Sequence, residues 1–254
     1  SPWAARRLKQ DMTEALARFY LTCGSEHPGF GLAAASVAAA GGGPAAGPLG
    51  ALDAGVHAAV AGGLDAGFVH GAVPRGLSDV PIAGCLVGSV GAAAVALLRG
   101  GGDAPRVRAQ VAACGLMAAA GASPGAPLSN ALKELFQRAR PSEFYNSYAF
   151  PSGHSLSAAF LAGTFFCVLL PLALEEEGPP GQAAPGSPHP EGWQLAAWAC
   201  TVAAVGSGRL LMDVHWLTDV LGGGSLGAGL VALEVAVGRG LAAGLARDAS
   251  EGGP

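Results

Sequence analysis

Four long apolar stretches, at 79–98, 107–132, 154–174 and 217–238, constrain this chain more than anything else in it. A helix of about 20 apolar residues is long enough to cross roughly 30 Å of hydrocarbon. A fifth stretch, 193–212, opens on Trp193 and carries Trp198, aromatic residues suited to a membrane–water interface. A sixth, 31–50, is interrupted by Gly41, Gly42, Gly43, Pro44 and Pro48. The expected fold is therefore all-α, an integral membrane helical bundle of five or six transmembrane helices.

Composition agrees with a lipid environment. Only 13% of the residues are charged and 51% are hydrophobic, with a mean hydropathy of +0.41; soluble domains carry roughly 25% charged residues. The 41 glycines would let helix backbones approach closely in lipid, although a compositional bias of the source genome would produce them too. A net charge of −4 argues against a nucleic-acid partner. The five cysteines are scattered and form no C-x-x-C pair, so neither a disulfide framework nor a zinc site is expected.

Along the chain, residues 1–30 form an N-terminal segment in which Trp3, Leu8, Met12, Leu16 and Phe19 recur at helical spacing among Arg6, Arg7, Lys9 and Arg18. That pattern fits an amphipathic helix at a membrane surface or a soluble surface helix. Residues 31–240 form the membrane domain, with 51–76 amphipathic or looped, and 241–254 a tail. The Pro/Gly-rich acidic stretch 175–192 is expected to be a disordered linker. A chain opening at Ser1 fits a mature or trimmed form lacking any targeting peptide.

Ionisable groups near a membrane core are usually functional, and three clusters of them stand at the ends of apolar runs. The first holds Lys133 and Arg140, two helical turns apart and so able to point the same way, with Arg138 off that line and expected to be solvated. The second is Pro151–Ser152–Gly153–His154. Pro suits the start of a helix, Ser caps it, and Gly allows close approach to a ligand. A helix N-terminus of this kind favours anions. The third cluster holds Arg209, His215 and Asp219. His215 and Asp219, four apart on an expected helix, place a carboxylate where it orients an imidazole.

Each residue has a plain explanation alone: cations snorkelling at helix ends, an ordinary capped helix, an interfacial histidine. Together they form what phosphoryl transfer without a metal needs. Lys133, Arg140 and Arg209 would neutralise phosphate oxygens, and the amides near Ser152 and Gly153 would bind equatorial oxygens. One histidine attacks while the other protonates the leaving oxygen.

This order of residues resembles the type 2 phosphatidic acid phosphatase (PAP2) superfamily of lipid phosphatases, whose active site is shared with vanadium haloperoxidases. The three-part signature falls on Lys133, Arg140 and Pro141, on Pro151–His154, and on Arg209, His215 and Asp219. The chain departs from it at Gly208, where the family usually has Ser; Ser207 lies one position earlier. The short interval from Pro141 to Pro151 resembles compact bacterial and plastid-type members.

The resemblance implies that His215 is a nucleophile forming a phosphohistidine, backed by Asp219, and that His154 is the general acid. It implies that Lys133, Arg140, Ser152, Gly153 and Arg209 hold the phosphate, with no metal or other cofactor. The expected substrate is a lipid phosphate or diphosphate such as phosphatidate, lysophosphatidate, or a polyprenyl or sphingoid phosphate. The alternatives are a vanadate-binding haloperoxidase-like enzyme, disfavoured by the apolar chain, and a catalytically silent lipid-binding scaffold. The Ala, Gly and Pro richness suits a green alga or a high-GC bacterium, so the expected compartment is a chloroplast membrane, with a bacterial inner membrane as the alternative. Arg99, Arg106, Arg108, Arg239 and Arg247 fall on one face of the expected topology and the site on the other. The site should therefore face away from the stroma or cytoplasm.

Overall fold

The computed structural model describes residues 48–99, 104–121, 127–142, 145–174 and 190–251. The expected N-terminal segment, most of the doubtful stretch 31–50 and most of the acidic linker lie outside these residues. All the regular elements among the described residues are helical. They are α1 (Pro48–Gly63), α2 (Ala66–Val69), α3 (Ala72–Arg99), α4 (Ala104–Gly121), α5 (Pro127–Phe136), α6 (Gly153–Gly163), α7 (Leu170–Leu174), α8 (Gly192–Leu211) and α9 (Leu217–Glu251).

A π-helical turn, Thr164–Leu169, joins α6 to α7 into one continuous rod. Its position has a local cause. Pro171 lacks an amide and its ring crowds the carbonyl four residues back, at Cys167, which sits inside the widened turn.

Three of the helical stretches are long and apolar enough to cross a membrane: Ala66–Arg99, Gly153–Leu174 and Leu217–Leu245. They differ in what surrounds them. In the most apolar 18 residues of each, 78% are buried in the second but only 22% in the first. The small residues of α6 explain the difference, because Ser155, Ser157, Ala158, Ala159 and Ala162 let neighbouring helices close around it. Helix α3 turns Val80, Val87, Val90 and Leu98 outward, an apolar face suited to lipid. Phe160, Leu161, Leu169, Leu172, Val231 and Cys114 form the core around the central rod.

Helix α9 packs chiefly on α6 and α4, and α8 on α3. Gly223 and Gly227 make the α9–α6 contact possible. A Cβ at Gly223 would collide with the Ser152 carbonyl oxygen, and one at Gly227 with that of Leu156. Farther along, Glu234 is fully buried, accepting from Thr164 Oγ1 at 2.6 Å and Cys114 Sγ at 2.8 Å. This bonding ties α9 to the π-turn and to α4.

Three expectations need correction. The apolar run 107–132 is not one span: α4 ends at Gly121 and a separate α5 begins at Pro127. Pro127 opens that second helix, where its missing amide costs nothing, and at 10 residues α5 is too short to cross a bilayer. Residues 51–76 are not looped but hold most of α1, all of α2 and the start of α3. The end of the acidic linker is structured too: Glu191 caps α8, its amide donating to Gln194 Oε1 at 2.7 Å.

Candidate active site

The three clusters converge where the C-terminus of α5 and the loop after it meet the N-termini of α6 and α9 and the turn after α8. Ser152 caps α6, its Oγ accepting from Ser155 N at 3.4 Å and Ser155 Oγ at 3.0 Å. Its own amide donates to the Asp219 carbonyl at 3.0 Å, which fixes the start of α6 against the start of α9. The close glycine contact of these two helices makes that bond possible.

Lys133 lies in the last turn of α5, but the helix stops at Phe136 and Gln137 takes a φ of 49°. Arg140 therefore does not reach the site by helical periodicity, as the sequence suggested. It is held in a loop, Nε donating to Ser147 O at 2.8 Å, one terminal nitrogen to Ser147 Oγ at 2.9 Å and the other to Val214 O at 2.7 Å. That last nitrogen also stands 3.4 Å from His215 Nε2. Burial pushes the Arg140 guanidinium below its usual value, opposed by Asp219 and Tyr145. Burial, then Arg140 and Arg209, push the Lys133 ammonium down in the same way, with Asp219 opposing. Like charges held this close favour an anion between them.

Arg209 comes from the last turn of α8 and is 8% exposed. Its Nε is buried without a hydrogen-bond partner, and its Nη1 reaches only the Met212 sulfur at 3.7 Å. A buried unsatisfied guanidinium nitrogen is costly, and a phosphate oxygen would satisfy it. Gly208 beside it explains the departure from the family pattern. A Cβ there would stand 2.7 Å from both the Pro74 carbonyl and the Ser78 hydroxyl of α3. Close α8–α3 packing thus excludes a side chain at 208, and Ser207 is exposed and does not replace it.

His215 lies in the turn before α9, not on the helix, and its side chain is 2% exposed. Its Nδ1 is 3.5 Å from Asp219 Oδ2, an ion-pair distance longer than a good hydrogen bond. Burial pushes its pKa down to about 4, helped by Arg140 and Arg209 and opposed by Asp219. The imidazole is therefore neutral at pH 7, the state a nucleophile needs.

His154 is the second residue of α6, with Arg209 and Lys133 within electrostatic reach. The sequence offered it no carboxylate, but the fold does: Asp79 Oδ1, on α3, stands 3.3 Å from His154 Nε2.

The other misreading concerns Arg138, which is not solvated. The turn at Gln137 sends it inward, 13% exposed, to ion pairs with Asp53 and Asp219, both at 2.6 Å. The sequence contained a signal for Asp53, a single carboxylate in the otherwise apolar stretch 48–56.

Comparison with known proteins agrees with a single family. Residues 110–240, more than half of the chain, match the family model of the PAP2 superfamily. The chain is 35% identical over 107 residues to phosphatidylglycerophosphatase B of Bacillus subtilis (strain 168), a match covering 39% of this chain and 46% of that protein. It thus spans about half the length of that curated relative. Its fold resembles the crystal structure of a transmembrane PAP2-type phosphatidylglycerolphosphate phosphatase from Bacillus subtilis. That likeness has a TM-score of 0.53 at 21% identity, covering 89% of this chain and 96% of the other. The chain belongs to the PAP2 superfamily.

Proposed function

We propose that this protein is a membrane phosphatase that hydrolyses a lipid phosphate or diphosphate through a phosphohistidine. One observation carries the reading: Lys133, Arg140 and the unsatisfied Arg209 gather around two histidines at the capped N-terminus of α6. In this reading the three cations and the amides at Gly153 and His154 bind the phosphate oxygens; the Ser152 amide, expected to do so, is instead bonded to the Asp219 carbonyl, and Ser152 contributes as the cap of α6. His215 Nε2, beside Arg140, attacks phosphorus, and the P–O bond to the lipid breaks. His154 protonates the departing oxygen, then accepts a proton from the water that cleaves the P–N bond, releasing inorganic phosphate. Asp219 stabilises the positive charge that develops on His215.

The relatives' names favour phosphatidylglycerol phosphate as the head group, beyond the substrates considered from sequence. Metal-independent catalysis belongs to the same reading, since fixed cations supply the positive field. A chloroplast membrane remains the proposed compartment, with a bacterial inner membrane as the alternative.

The test is phosphate release from phosphatidylglycerol phosphate in detergent with excess chelator, comparing the unaltered protein with His215→Ala. Release by the first and none by the second is expected. Activity lost to chelator and restored by magnesium would remove the metal-free mechanism, and release by His215→Ala would remove the nucleophile.

A further inference from the structure

Arg138 and Asp53 lie outside the residues the proposed reaction uses, yet they are built into its back wall. Arg138 Nη1 donates to Thr218 Oγ1 and Asp219 Oδ1, both at 2.6 Å, while Nη2 donates to Asp53 Oδ2 at 2.6 Å. Asp53 also accepts from Thr218 N at 2.9 Å and Thr218 Oγ1 at 2.6 Å. Asp53 is 3% exposed and Asp219 fully buried. One turn farther along α1, His57 Nδ1 stands 2.7 Å from Asp213 Oδ1, on the turn that carries His215. Helix α1 thus holds the segment around His215 on both sides, at Asp213 before it and at Thr218 in α9 after it, and it lies wholly outside the stretch that matches the family model.

We infer that Arg138, anchored by Asp53, is a positioning residue for the nucleophile: it fixes the Asp219 carboxylate so that His215 presents Nε2 to the phosphate. This rests on the phosphatase reading above. The geometry divides the carboxylate's work. Oδ1 is held by Arg138, leaving Oδ2 to accept from Trp216 N at 2.9 Å and to face His215 Nδ1. The charges also fit. Arg138 alone would cancel Asp219, whereas the Asp53–Arg138–Asp219 triad keeps one net negative charge behind an imidazole that becomes positive when phosphorylated. Arg138 is not placed as a phosphate ligand, because its terminal nitrogens are bonded to two carboxylates and a hydroxyl.

The test measures kcat and KM for Asp53→Asn, Arg138→Met, Arg138→Lys and the double variant Asp53→Asn with Arg138→Met. Purified protein is assayed in detergent well below each unfolding midpoint, on phosphatidylglycerol phosphate and on p-nitrophenyl phosphate. A displaced nucleophile should lower kcat about 10- to 100-fold on both substrates, with KM unchanged. Arg138→Lys should recover part of the loss, and the double variant should lose less than the product of the single losses. A lowered unfolding midpoint with normal kcat per folded enzyme would make the triad purely structural and overturn the inference. Raised KM with normal kcat would make Arg138 a phosphate ligand and overturn it too. Should Arg138→Met not fold, the nearly isosteric Asp53→Asn decides by the same criteria. Activity in a parallel His215→Ala sample would overturn the phosphohistidine reading on which this inference rests, whereas an inactive His215→Ala beside a normal Asp53→Asn overturns only the positioning role.

Discussion

The two histidines of the site have different neighbours, and their chemistry should separate accordingly. His215 is buried against Asp219, while His154 is partly open and faces the exposed Asp79. General acid catalysis is worth about 10²–10⁴-fold and matters most for a poor leaving group. His154→Ala should therefore lose far more activity on a lipid monophosphate than on a nitrophenyl phosphate, whereas His215→Ala loses both alike. Equal losses for His154→Ala on the two substrates would leave it a phosphate ligand only. The pH dependence follows from burial. With its pKa lowered to about 4 from 6.5, His215 keeps its nucleophilic neutral form well below pH 6. The unfolded chain binds its proton first as the pH falls, so this group's contribution to stability is complete above about 6.5 and disappears toward 4. If the proposed activity is correct, its acid limb in kcat/KM, corrected for substrate ionisation, should lie near 4; a limb at 6.5 would place His215 in contact with solvent.

At the scale of elements, the contact of α6 with α9 sets the candidate site, because it joins the proposed phosphate cradle to the turn that carries His215. Gly223 and Gly227 allow that contact only while they lack a side chain. Overpacking a core typically costs about 1–3 kcal/mol, and here the obstacle is backbone, which yields less than a side chain. Gly227→Leu should thus lower the unfolding midpoint in detergent and reduce activity together, whereas Gly229→Ala, with open space around it, should change neither. An unaltered midpoint for Gly227→Leu would show that the helices are not in close contact. The sequence signalled small residues but not which of the many glycines meet a backbone. Likewise, the apolar run 107–132 reads as one span because hydropathy does not register the break before Pro127.

For the whole molecule, Arg99 and the site lie at opposite ends of the central rod. Arg99, closing α3, donates to the Ala173 carbonyl at the far end of the central rod, at 3.0 Å, while Asp79, near the start of α3, faces His154. Positive residues stay on the side from which a protein inserts, so the site should face away from the cytoplasm or stroma. In a protein with its five natural cysteines replaced by alanine, Tyr145→Cys should react with an impermeant thiol reagent added on the side opposite the basic loops. Reaction only from the basic side would reverse the topology.

The apolar stretches and the order Lys133, Arg140, Pro151–His154, Arg209, His215, Asp219 were legible along the chain, since hydropathy and spacing are properties of neighbouring residues. Whether Lys133 and Arg140 share a helix was not, because one positive φ at Gln137 ends α5 and redirects everything after it. That turn buries Arg138, where periodicity alone would leave it in water. The carboxylates Asp53 and Asp79 find their partners 85 and 75 residues away. Sequence determined the order and spacing of the candidate groups; the tertiary structure decided which carboxylate stands behind each cation and histidine, because such pairs form only when distant helices pack.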